Sequence, residues 1–231
     1  MCIRDRSVIG LILIIGGVVS GFIFIEGHML YSSAIKEIPI QDKVNKIQNA
    51  PSYIESEEIA QDFLNAIVSI EDRRFMDHRG FDHRSFLRAI ISNIESKSFA
   101  EGGSTITQQL AKNMYFFHEK KLSRKVGELL VALDIERLYD KDEILELYVN
   151  IIYYGEGYYG VKDASYGYFN ISPKDMSLDQ STLLAGIPNA PSALALSHHI
   201  GRARERQREV VESMVENGYI SKSEASSILN Q

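Results

Sequence analysis

The chain has 231 residues, 45% hydrophobic and 24% charged, an ordinary globular balance that excludes a disordered chain and a multi-span membrane protein. Lys and Arg total 25 against 31 Asp and Glu, so the net charge is -6, the wrong sign for a general nucleic-acid binder. A single cysteine excludes an intrachain disulfide framework, leaving the apolar core to hold the fold.

In chain order, residues 1–7 (MCIRDRS) read as a short cytoplasmic end with the look of a translated cloning remnant. Residues 8–25 (VIGLILIIGGVVSGFIFI) carry no charge. As a helix rising about 1.5 Å per residue they reach roughly 27 Å, enough to cross a hydrocarbon core of about 30 Å once. The small residues Ser32, Ser33 and Ala34 stand too far beyond the run for a cleavage site, so an uncleaved transmembrane anchor is expected. Arg4 and Arg6 before the span and Glu26 after it place the N-terminus in the cytoplasm and the rest outside. Residues 26–50 lack sustained periodicity and contain Pro39; they are expected to form an extracytoplasmic tether to a domain over residues 51–231.

Within that domain apolar residues recur at helical spacing: Ile59, Phe63, Ala66, Ile67 and Ile70; Phe86, Leu87, Ile90, Ile91 and Ile94; Val126, Leu129, Leu130 and Leu133; Ile144, Leu147, Tyr148 and Ile151. Thr105 with Gln108, Asp140 with Glu143, Ser177 with Gln180 and Ser221 with Glu224 have the spacing of capping boxes, which start helices. No stretch alternates between hairpin turns, so a mainly α fold is expected.

Four places could do chemistry. Glu71 follows directly on an apolar stripe, where partial desolvation would raise its pKa toward that of a general base; the bland alternative is a solvated salt-bridge cluster at a helix end. Gly102 and Gly103 precede Ser104 and Thr105 at a helix start, and Thr105, Gln109 and Lys112 form a polar row whose amide offers the paired donors and acceptors that sugars need. From Lys112 to Lys125 five cations, Lys112, Lys120, Lys121, Arg124 and Lys125, face one acid, Glu119, a local patch for phosphate or anionic lipid. Inside it Met114, Tyr115, Phe116 and Phe117 suit either a bilayer interface or a buried helix end. Glu128 heads an apolar row with Val131, Ala132 and Ile135, a carboxylate either paired with a nearby Arg or held in a cleft wall. Seven of the 12 tyrosines fall between Tyr148 and Tyr168, suited equally to stacking on sugar rings and to a helical core. Asp77, His78, Asp82 and His83 do not make a metal site, because the two histidines do not share a helix face.

Taken together, the ordered blocks EDRRFMDHRGFD, GGSTITQQLAKN, RKVGELLVALDIE, KDEILELYVN and GVKDASYGYF resemble the five motifs of the peptidoglycan glycosyltransferases. That family comprises monofunctional transglycosylases and the N-terminal domains of class A penicillin-binding proteins. The likeness runs from about residue 58 to residue 218. It implies a lysozyme-like, two-lobed helical domain on the outer face of the cytoplasmic membrane that polymerises lipid II into β-1,4-linked glycan. By the same resemblance Glu71 is the general base on the acceptor 4-hydroxyl and Glu128 serves the donor side. Lys112, Lys120, Arg124 and Lys125 are implied to hold the donor pyrophosphate, and Asp72, Ser104, Thr105, Gln108, Gln109 and Asn113 to line the cleft. The implied partners are lipid II, the lipid-linked strand, the membrane and other cell-wall synthesis proteins, with no nucleic acid. No cofactor is evident, and a divalent cation such as Mg²⁺ is not legible in the sequence. The fifth block runs Tyr168-Phe169-Asn170-Ile171 where the family usually has Tyr-Phe-Gly-Lys, and Ser165 replaces an alanine; Asn can take the left-handed turn, so little loss is expected. The sole Ser-x-x-Lys, Ser33 to Lys36, lacks a later Lys-Thr-Gly, so no transpeptidase signature is present and the chain reads as a monofunctional enzyme or the front of a bifunctional one. A glycan-cleaving enzyme of lysozyme-like fold and a non-enzymatic, membrane-tethered scaffold that binds glycan or a partner are the remaining alternatives.

Overall fold

The computed structural model describes residues 3–96, 102–117 and 119–230. Met1 and Cys2 of the expected cytoplasmic end, Glu101 at the head of the glycine block, and Gln231 lie outside them, as do the side chains of residues 8–13 in the expected span and those of Ile90 and Ile94. The described residues form twelve α-helices and no strand, apart from one isolated bridge between Tyr153 and Tyr159. The fold is mainly α, as the periodicity requires.

The first helix, α1 (Ile3–Glu37), contains an apolar stretch long enough to cross a membrane, and its side chains from Ile14 to Ile25 are largely exposed on the protein. It does not stop at the end of that stretch. The expected tether is instead helical: α1 continues to Glu37, and Pro39 then opens α2 (Ile40–Gln48). Leu30, Tyr31, Ala34 and Ile35 pack on the core, a short stripe interrupted by Ser32 and Ser33. Its partner is α6 (Arg124–Leu138), which α1 approaches closely at Gly27: a Cβ there would lie 2.5 Å from the Ser123 carbonyl oxygen and from Val126 Cβ. One turn on, Tyr31 donates a hydrogen bond to Asp134 at 2.6 Å, and Glu26 pairs with Lys121. The residues of α6 at helical spacing, Val126, Leu129, Leu130 and Leu133, are only half-buried, with Val126 against α1. The fully buried face is Gly127, Glu128, Val131, Ala132 and Ile135.

The remaining helices sort into two packing groups. In one, α3 (Gln61–Glu71) is clasped by α9 (Leu178–Ala185) and α11 (Leu196–Glu216), burying Phe63, Ala66 and Ile67 completely. In the other, α5 (Ile106–Tyr115) packs between α6 and α7 (Lys141–Ile151). The helix α4 (His83–Ser96) leads from the first group toward the second, and α8 (Val161–Phe169), α10 (Pro191–Leu194) and α12 (Lys222–Leu229) complete the chain. All four expected capping boxes form, with both reciprocal bonds present at α5, α7, α9 and α12.

Local departures are accommodated as their chemistry allows. Asn170 ends α8 in the left-handed conformation, φ 55° and ψ 37°, and Ser165 donates its hydroxyl to the Ile171 carbonyl at 2.9 Å. Met114 and Phe116 make a buried helix end, with Phe117 exposed beside them. Tyr148 and Tyr154 are fully buried core residues, and Tyr158 and Tyr168 meet edge to face.

Candidate active site

The site begins where α3 stops. Asp72 leaves helical geometry, so Glu71 is the last helical residue, at the junction of the two helix groups. Its carboxylate is buried. Oε2 accepts a hydrogen bond from Gln109 Nε2 at 2.7 Å, while Oε1 is buried without a hydrogen bond among the described residues. Gln109 Oε1 in turn accepts from the Tyr148 hydroxyl at 3.1 Å. Burial pushes the Glu71 carboxyl above the ordinary range, and neighbouring Asp72 adds to this; donation by Gln109 and the charge of Arg206 offset only part of it. Such a shift makes the carboxylate a stronger base than an exposed glutamate.

Glu71 lines a cavity of about 440 Å³ with Asp72, Arg73, Ser104, Thr105 and Gln109. Three of the residues expected to bind substrate have polar atoms committed to building this wall. Asp72 accepts from His78 Nε2 at 2.9 Å and from the Ile106 amide at 3.0 Å, pinning the start of α5 to the end of α3. Thr105 donates to the Gly80 carbonyl at 2.9 Å and accepts from the Gln108 amide, while Gln108 Oε1 accepts from the Thr105 amide. Gln108 is spent on the cap, and Asp72 and Thr105 shape the cavity while being held from behind. His78, buried against Asp72, belongs to the same scaffold, and Asp82 is taken by Arg74.

Glu128 lies outside that cavity, reached through its rim. Ser104, which lines the cavity, accepts from Lys125 Nζ at 3.0 Å, and the same ammonium stands 2.7 Å from Glu128 Oε2. Arg124, one turn earlier on α6, pairs with the other oxygen of this 1% exposed carboxylate. Lys112 joins from α5: burial first, then the charge of Arg124, lowers its pKa, while Glu128 pulls the other way. Three cations thus surround one carboxylate, leaving a net positive site for an anion. Asn113 donates to the Gln109 carbonyl at 2.8 Å, at the edge of this row. Lys120 is not brought to it: the side chain is exposed and makes no ion pair among the described residues.

The far wall comes from α11. Arg206, Glu209 and Ser213 line the cavity; Arg206 pairs with Glu209, and Ser213 donates to the Ser69 carbonyl at 2.6 Å. The sequence offered no signal for them, because the alternating charges of RARERQRE read as a solvated helix face and the contact spans more than a hundred residues.

Fold and site together define a helical domain that follows an apolar helix long enough to cross a membrane, with a buried carboxylate beside a cation-rich cluster. The family model described as Transglycosylase matches residues 40–215. The chain is 42% identical over 168 residues to penicillin-binding protein 1F of Bacillus subtilis, covering 73% of this chain and 24% of that one. It is 42% identical over 179 residues to penicillin-binding protein 1A of Aquifex aeolicus, covering 78% and 25%. With a Cupriavidus necator protein named "Putative transglycosylase" it shares 39% identity over 204 residues, covering 87% of this chain and 88% of that one. The chain belongs to the transglycosylase family. It spans about a quarter of the length of the two penicillin-binding proteins.

Proposed function

We propose that this protein is a peptidoglycan glycosyltransferase that polymerises lipid II. Glu71 accepts the proton of the 4-hydroxyl of the acceptor sugar, whose oxygen attacks the anomeric carbon of the lipid-linked strand. The bond to the pyrophosphate breaks with inversion, giving a β-1,4 link and undecaprenyl pyrophosphate. Lys112, Arg124 and Lys125 receive the charge that develops on the leaving group, as preorganised cations do. Glu128 holds Arg124 and Lys125 in place and keeps the cluster from repelling itself. The observation that carries this reading is the adjacency of two unlike sites, a desolvated carboxyl at Glu71 and a cation-rich cluster at Glu128, joined at Ser104.

We further infer that α1 crosses the cytoplasmic membrane once, with Arg4 and Arg6 inside and the domain outside, where lipid-linked substrate can enter from the bilayer. Ser104, Gln109 and Asn113 stand along the path between the two sites. Incubating the protein with labelled lipid II tests the reading: it predicts long glycan that lysozyme digests. Absence of polymer, with cleavage of preformed strands instead, contradicts it.

A further inference from the structure

Gln109 presents two chemically different ends of one amide. If the amide were reversed, its carbonyl oxygen would face the Glu71 carboxylate, and two acceptors would meet with no proton between them. The orientation that suits an ionised Glu71 therefore needs a donor behind the amide. Tyr148 supplies it from α7: fully buried and no part of the cavity lining, its hydroxyl lies 3.1 Å from Gln109 Oε1.

We propose that Tyr148 is a positioning residue for Glu71: by donating to Gln109 Oε1 it locks the amide so that Nε2 donates to Glu71 Oε2 and Oε1 remains to take the substrate proton. Burial raises the Tyr148 phenol well above its ordinary range, so it stays protonated and acts as a donor throughout the working pH. The fold contains its own control. Tyr154 is equally buried and feels the charge of Glu71, yet its hydroxyl has no hydrogen-bond partner among the described residues. The other groups acting on Glu71 are Asp72 beside it and Arg206 from α11.

This inference deepens the proposed activity, but its first test does not need that activity. The ¹³C resonance of the Glu71 carboxylate, assigned by its loss in Glu71→Gln, is titrated in the parent protein, Tyr148→Phe and Tyr154→Phe. Losing a donated hydrogen bond disfavours the carboxylate, so Y148F shifts the midpoint upward by about half to one pH unit. Y154F leaves it in place. Replacing Tyr148 by 3-fluorotyrosine keeps the hydroxyl and strengthens its donation, so the midpoint moves down; this variant decides the matter if Y148F does not fold. An unchanged midpoint in either Tyr148 variant, or an equal upward shift in Y154F, overturns the proposal. Lipid II polymerisation is measured alongside. An inactive parent would contradict the proposed function while the titration still decides the role of Tyr148. With an active parent, Y148F lowers kcat about 10-fold with KM within about twofold, and moves the acidic limb upward. Adding Y148F to Gln109→Ala costs nothing further, whereas a purely structural role would give additive losses.

Discussion

Glu71 and Glu128 are two buried carboxylates in one domain, and their surroundings are opposites. Glu71 meets a neutral amide on one oxygen and, among the described residues, no hydrogen-bond donor on the other. Glu128 meets Arg124 on one oxygen and Lys125 on the other. The first environment disfavours charge and leaves an oxygen available to accept a proton; the second balances charge and spends the carboxylate on arranging cations. In the proposed reaction, environment more than residue type would divide the roles of the two glutamates.

The comparison can be broken most sharply at Glu71. Glu71→Gln should lower lipid II turnover at least about 100-fold while affinity for a pyrophosphate-bearing ligand stays within about twofold. The same variant has a stability signature. The raised pKa means the folded chain holds this proton more tightly than the unfolded one, so stability is lost as pH rises through the ordinary carboxylate range up to the raised value. Calorimetry should therefore find E71Q more thermostable than the parent at alkaline pH, the gain vanishing at acid pH; a gain present only in acid would reverse the assignment.

The Glu128 side is probed next. Arg124→Ala leaves a buried carboxylate with Lys125 as its remaining ion-pair partner, which should destabilise the fold by about 3 kcal/mol in thermal denaturation and raise KM about 10-fold or more. Lys112→Ala keeps the Glu128 pairs intact, so a smaller effect is expected, a KM increase of about 10-fold or less with little change in melting temperature. Because Lys112 is held below its ordinary pKa, anion binding should draw a proton onto it at alkaline pH. Calorimetric titration in buffers of different ionisation heat would show that uptake in the parent and lose it in the variant. Smallest of all, Lys120→Ala should change kcat/KM by less than about twofold, since this exposed lysine lies apart from the cluster. A large loss there would extend the cationic site beyond the three residues assigned to it.

Local rules carried the reading of the sequence furthest where the deciding contacts are local. The capping boxes are three-residue devices, and all four form. Glu71 was legible because an apolar stripe runs straight into it, and the cations at positions 112, 124 and 125 because they crowd in one stretch. What escaped depends on distant partners. The helical continuation of α1 rests on Leu30, Tyr31, Ala34 and Ile35 finding the core and on Gly27 admitting α6, and neither shows in a stripe so short. Gln108 has the composition of a sugar ligand, but its amide closes a cap. Arg206 and Ser213 reach the cavity only because α11 lies across α3, a contact that no local pattern encodes.

The division of labour between the two glutamates is tested most directly by the pH dependence of kcat for lipid II polymerisation in the parent and in Glu128→Gln. Both should show one acidic limb at the same pH, above the ordinary glutamate value of about 4.3, with a lower plateau in the variant. A limb that disappears or moves when Glu128 is replaced would make Glu128 the base and contradict the assignment of Glu71.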